Sequence, residues 1–216
     1  MKFEHAIQQD FLNYIDRVDD LEKEISTGWR LIHYICQYSN SKVLEYAITK
    51  GINLEAKTNR ELRAIHIACE YNNIGVVKTL INNKVDLEAE TDEMYRPIHF
   101  ACMHSNIQII QLLVSKGVSL EAEERQGWRP IHIVCRYSEP QSIKFIIDQG
   151  VNFETKVHDR FAFSKPIDLI YKYSNYQVLK YALKNGAKTN MFYWIYCLLK
   201  DSCNSCKSSD LFFCKK

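Results

Sequence analysis

No stretch of this 216-residue sequence is apolar for long enough to cross a membrane. The longest uninterrupted apolar run, Met191 to Leu199, is far short of the roughly 20 residues a spanning helix needs. The start, Met1-Lys2-Phe3-Glu4-His5, lacks the apolar stretch of a secretory signal. Charge of one sign is missing too. The formal net charge is +2 and no basic run or stripe stands out, which argues against nucleic acid and membrane surfaces as partners. These absences predict a soluble, cytoplasmic protein. The eight cysteines are not spaced as a small secreted disulfide scaffold, because four recur at one interval and four crowd the last stretch of the chain. A glycine-rich phosphate loop, G-x-S-x-G and H-E-x-x-H are all absent. Paired carboxylates such as Asp19-Asp20 and Glu123-Glu124 fall where turns or cap surfaces are expected. No catalytic constellation and no cofactor are expected.

What is present is a repeat. His33, His66, His99 and His132 are each 33 residues apart, preceded by Arg30-Leu31-Ile32, Arg63-Ala64-Ile65, Arg96-Pro97-Ile98 and Arg129-Pro130-Ile131. A fifth copy, Lys165-Pro166-Ile167-Asp168, follows after 36 residues. A fixed interval of this length predicts one elongated stack in place of one or two globular domains. Each copy has the same grammar. A short helix carries Ile-His-x-x-Cys, a Ser or Asn breaks it (Ser39, Asn72, Ser105, Ser138, Ser174), and a second helix follows. In copy three the second helix places Ile109, Ile110, Leu113 and Val114 on one broad apolar stripe. Gly51, Gly117, Gly150 and Gly186, with Lys84 in copy two, stand where a left-handed residue ends that helix. Neither helix can bury its stripe alone, so the copies must stack.

The period, the Pro-Ile-His-x-Ala-Cys segment of copy three and Gly-Val-x-Leu-Glu-Ala resemble ankyrin repeats, whose signature is Thr-Pro-Leu-His-x-Ala. The resemblance spans roughly residues 28 to 190 and implies an all-α ankyrin-repeat solenoid of helix-turn-helix units with projecting β-turns. Its flavour, with Arg for Thr, Ile for Leu and Cys after Ala, resembles the expanded ankyrin families of giant DNA viruses of amoebae. The expected units are residues 28–58, 61–91, 94–124, 127–157 and 163–190. Residues 1–27, with Phe11, Leu12, Ile15 and Val18 on one face, predict an N-terminal helical cap that begins in the second half of a degenerate repeat. An apolar C-terminal cap over 191–200 and a cysteine-bearing flexible tail over 201–216 complete the chain.

Four rows invite functional readings. Metal for the His row and redox chemistry for Cys36, Cys69, Cys102 and Cys135 both fail on distance. Equivalent residues of adjacent copies lie one helix-packing distance apart, roughly 8 to 10 Å. Disulfides need Cα atoms within about 7 Å and zinc needs ligands at about 2.0 to 2.3 Å. The resemblance implies a structural His whose ring bonds backbone in the turn. Arg30, Arg63, Arg96 and Arg129 replace a capping Thr yet have no acceptor to offer. Glu22, Glu55, Glu88, Glu121 and Glu154 precede the Arg row, and the Lys of copy five, and lead to either of two readings. One is a Glu–Arg ladder along the stack; the other is two solvated rows. The residues before each Arg, Trp29, Leu62, Tyr95 and Trp128, are placed by the resemblance near the finger tips. They read either as a partner-binding stripe or as rings packing on neighbouring turns. Arg160, Phe161 and Phe163 in the insertion are further partner-binding candidates. Cys197, Cys203, Cys206 and Cys214 contain a single C-x-x-C, a weak zinc signature beside the plainer reading of a frayed tail.

The resemblance implies a non-catalytic, monomeric interaction scaffold for an unnamed protein partner, in a viral setting one that engages host proteins in the host cytoplasm. Alternatives are a ubiquitin-ligase adaptor docking through a minimal C-terminal segment, for which residues 191–216 are short, or a shortened family member without a dedicated partner.

Overall fold

The computed structural model describes residues 2–157 and 165–188. Five helix pairs follow one another: α2 (Leu31–Tyr38) with α3 (Ser41–Thr49), α4 (Ala64–Glu70) with α5 (Ile74–Asn82), and α6 (Pro97–Met103) with α7 (Ile107–Ser115). Then come α8 (Pro130–Tyr137) with α9 (Pro140–Asp148) and α10 (Pro166–Tyr173) with α11 (Tyr176–Lys184). A longer helix, α1 (Lys2–Arg17), precedes them. No strand or sheet occurs among the described residues.

Local chemistry sets the breaks. Between the two helices of a copy the chain turns at Asn72 (φ 57°) and Ser105 (φ 58°), or passes through extended Ser39, Ser138 and Ser174. The next residue caps the second helix. Asn40, Asn73, Asn106 and Asn175 each accept a backbone N–H with the side-chain oxygen, at 3.0 to 3.2 Å. Glu139 makes no such bond, and Pro140 at the first helical position stands in, since it has no N–H to satisfy. The second helices end on a left-handed residue, Lys84 in copy two (φ 60°) and Gly117 in copy three (φ 81°). The N–H of Val85 then reaches back to Leu80 O, as Ile52 reaches Ala47 O, which satisfies the last carbonyls.

First helices stack on first helices (α2, α4, α6, α8, α10) and second helices on second helices. The core is the seam between these rows, filled by fully buried Ile32, Ile65, Ile98 and Ile131 from one row and Leu44, Leu80, Ile110 and Leu113 from the other. Burying one such side chain contributes about 1.5–3 kcal/mol, and each copy completes its neighbour's core. The N-terminal helix was expected over Phe3 to Ser26 but ends at Arg17. The Asp20 carboxylate takes the Glu22 N–H at 2.8 Å in a turn that competes with helix. α1 packs along α3, in the outer row.

Between copies the chain projects three-residue loops. Thr58 N–H bonds Leu62 O and Glu61 N–H bonds Thr58 O, each 2.9 Å, and Thr91/Tyr95 and Glu124/Trp128 repeat the pairing. This is a turn closed by a left-handed residue, here Gly28 (φ 77°), Glu61 (57°), Met94 (63°) and Gly127 (81°). Neighbouring tips are tied by backbone bonds from Asn59 to Thr27 O, Asp92 to Arg60 O and Arg125 to Glu93 O. A Cβ on Gly28 would lie 2.4 Å from the Asn59 nitrogen, so this first tip needs glycine for close approach as well as for φ.

Candidate partner-binding groove

The floor of each finger is a clasp around a histidine. His33, His66, His99 and His132 are fully buried. Each Nδ1 accepts the backbone N–H of the Arg three residues earlier, at 2.9 to 3.1 Å. A backbone N–H can only donate, so the proton sits on Nε2. Nε2 donates to the carbonyl 23 residues on: Ala56 (3.0 Å), Ala89 (2.9 Å), Ala122 (3.1 Å) and Thr155 (3.3 Å). One neutral ring thus satisfies an orphan donor at the helix start and fixes the following finger. Burial pushes His66, His99 and His132 down to about 4, against a partial opposing effect of the accepted carbonyl bonds. In copy five Asp168 takes the place of the His and accepts the Lys165 N–H at 3.4 Å.

Above the clasp lie the Arg and Glu rows. Arg63 Nη1 is 2.7 Å from Glu55 and 3.2 Å from Asp86. Arg96 meets Glu88 (2.5 Å) and, through Nε and Nη2, Glu90 (3.1 and 2.8 Å). Arg129 pairs with Glu121 and with Glu123 (2.7 Å), and Lys165 with Glu154 (2.6 Å). The other oxygen of each Glu crosses to the next copy: Glu55 takes Asp86 N–H (2.9 Å) and Glu88 takes Ser119 N–H (2.7 Å). Arg30 departs from this, donating to the Glu22 and Lys57 carbonyls. The Arg63 Nε is buried without a partner, because Lys57 stands where Glu90 and Glu123 serve the later copies. The carboxylates are 39–48% exposed, so each pair contributes at most about 1 kcal/mol.

The row of Trp29, Leu62, Tyr95 and Trp128 sits at the finger base and leans inward. Trp29, Tyr95 and Trp128 each meet the His of their own copy edge-on, with centroids 5.6, 5.9 and 6.2 Å apart. Trp128 is only 8% exposed. The tips themselves are polar residues such as Asn59, Arg60 and Glu61. The inward lean has a geometric setting: the N-cap Arg after each of these residues is extended backbone, and the rings of Trp29, Tyr95 and Trp128 cover the buried imidazoles.

Between the fingers and the far ends of the inner helices of copies two and three lies a hollow of about 280 Å³, lined by Leu62, Tyr95, Glu70 and Met103 with Arg60 and Asp92 at the finger side. Burial and neighbouring Glu124 push the Tyr95 phenol up to about 12. Along the helix ends lies a row the sequence reading did not single out. Tyr38, Tyr71, Tyr137 and Tyr173 are 58, 46, 53 and 46% exposed, with exposed His104 at the same place in copy three. The Arg136 guanidinium lies 5.2 Å from both the Trp128 and Tyr137 rings and 5.8 Å from Tyr173, which stiffens that end. The signal was available, since these tyrosines fall in the same phase as the His row.

Residues 65–114 and 98–147 each match the family model for ankyrin repeats (many copies). Ankyrin repeats are thus detected over residues 65–147. No curated protein matches the chain. Ankyrin repeats generally mediate protein–protein interaction and are typically non-enzymatic scaffolds. The buried thiols Cys36, Cys69, Cys102 and Cys135 are free, and burial raises them all well above the ordinary range. No group of His, Cys, Asp and Glu able to hold a metal occurs among the described residues, and no helix there is long and apolar enough to cross a membrane. Arg160, Phe161 and Phe163, the four C-terminal cysteines and the apolar segment 191–200 lie outside the described residues.

Proposed function

We propose that this chain is a non-catalytic scaffold that holds a protein partner along the groove between its fingers and its inner-helix ends. The observation that carries this reading is the tyrosine row. Four phenol rings, in copies one, two, four and five, stand about half in water and complete no core, and tyrosine is enriched among residues that dominate binding energy. The inward row of Trp29, Leu62, Tyr95 and Trp128 serves as the wall behind them. Charge varies along the groove, from Glu70 and Asp92 near its middle to Arg136 toward α10, which favours a partner of mixed sign laid along the stack. The family match speaks to the repeat type and not to a viral source, so engagement of host proteins rests on the sequence resemblance alone. Affinity capture from the native cell with mass spectrometry, using wild type and a Tyr71→Ser/Tyr137→Ser variant of unchanged melting temperature, tests the reading. Partners lost from the variant support it; the same partners on both refute it.

A further inference from the structure

The N-terminal end of the stack carries the surface of an interior interface. Tyr14 and Ile25 are 44% and 49% exposed, whereas the residues 33 positions on, Ala47 and Thr58, are 0% and 6% exposed. Tyr34 lines the same hollow half-buried, over the buried Leu31, and the counterpart of Tyr34, Ile67, is fully buried. With Ile7, Phe11 and one charged residue, Asp10, these side chains line an open hollow of about 430 Å³ that is mostly apolar. α1 stands in the outer row but runs straight through the place where other copies turn. Ala6-Ile7 occupy the positions of Ser39-Asn40, Asn72-Asn73 and Ser105-Asn106, so no break and no Asn cap direct the chain to the inner row. Every inner helix from α4 onward stacks on an earlier one, and among the described residues α2 has none before it.

We infer that this hollow is a docking site for one short apolar helix of a partner protein, seated where the inner helix of a preceding copy would lie. Continuity with the repeat-to-repeat interface sets the chemistry. The helix presents small and β-branched aliphatic side chains to Leu31, Tyr34 and Phe11, as the inner helices do to one another. A hydrogen-bond donor near its start meets the Lys23 carbonyl, the counterpart of the Ala56, Ala89 and Ala122 carbonyls that accept from His33, His66 and His99. A second copy stacked head to tail does not fit, because its α10 comes paired with α11, and an outer helix would meet the place α1 already holds. This inference is independent of the groove reading.

The test uses the full chain and a fluorescein-labelled, side-chain-stapled peptide of residues 95–104, an inner helix of this protein, read by fluorescence polarisation. Saturable binding is expected to wild type and to Tyr71→Ser. Binding about tenfold weaker or more is expected for Ile25→Glu and Tyr14→Glu with unchanged melting temperatures. Tyr14 and Ile25 sit on different walls, so either variant serves if the other does not fold. Absence of saturable binding, or equal binding by both variants, overturns the inference. So does sedimentation showing a wild-type dimer that Ile25→Glu dissolves, which gives the face to a second copy.

Discussion

The two ends of one inner helix make the most instructive comparison in this molecule. At the start sits a histidine that is wholly buried and bonded at both nitrogens; at the end sits a tyrosine about half in water. Each row recurs in four of the five copies, with Asp168 breaking the first and His104 the second, so in the sequence they are equally regular. Periodicity therefore marks what the repeat keeps, without saying whether packing or a partner demands it. Burial separates the two. A row that satisfies orphan backbone groups belongs to the fold, and a row that completes no core is available for recognition.

The strongest way to sharpen that contrast is His99→Ala. It leaves the Arg96 N–H and the Ala122 carbonyl without their partner, at about 1–3 kcal/mol for each buried group, so an unfolding free energy lower by roughly 2–6 kcal/mol is expected from denaturant melts. Acid attacks the same row. The folded imidazoles titrate near 4 against an ordinary 6.5, so between those values the unfolded chain binds more protons and stability falls as pH is lowered. Each such His contributes about 1.4 kcal/mol per pH unit in that window. Urea melts at pH 7, 6 and 5 should show the loss, and His99→Gln should make it shallower by the share of one imidazole. If the melts do not change with pH, the clasp is not as drawn.

Smaller effects probe the irregular copies. Lys57→Glu supplies the carboxylate that Arg63 Nε lacks and should raise stability by about 0.5–1.5 kcal/mol, read as a higher melting temperature. Lys84→Gly removes a side chain from the left-handed region and should add about 1 kcal/mol. At Gly51, which has the same role (φ 85°) with open space around its Cβ, Ala should cost about as much. Tyr71→Ser, by contrast, should change stability by less than about 0.5 kcal/mol.

Much of this architecture is legible in the sequence because the interval of 33 fixes stack, breaks and core stripe together. The left-handed position of Lys84 can be read from the glycines beside it in phase. The Arg–Glu pairing was one of two open readings, since spacing alone does not say whether long side chains meet or point to water. The aromatic row at the finger base was harder. Its rings lean on imidazoles of their own copy, and only three-dimensional placement shows Trp128 to be covered while Tyr137 is not. The tyrosine row was missed because an aromatic at helical spacing reads first as core. The open end beside Ile25 was missed because a cap was expected to cover it.

Photo-crosslinking tests the central claim most directly. Benzoylphenylalanine placed at 71 and 137, and separately at exposed outer-helix positions 78 and 111, is irradiated in the native cell and the adducts are identified by mass spectrometry. The account predicts one shared partner at 71 and 137 and no such adduct at 78 or 111; a partner caught at 78 and 111 and missed at 71 and 137 contradicts it.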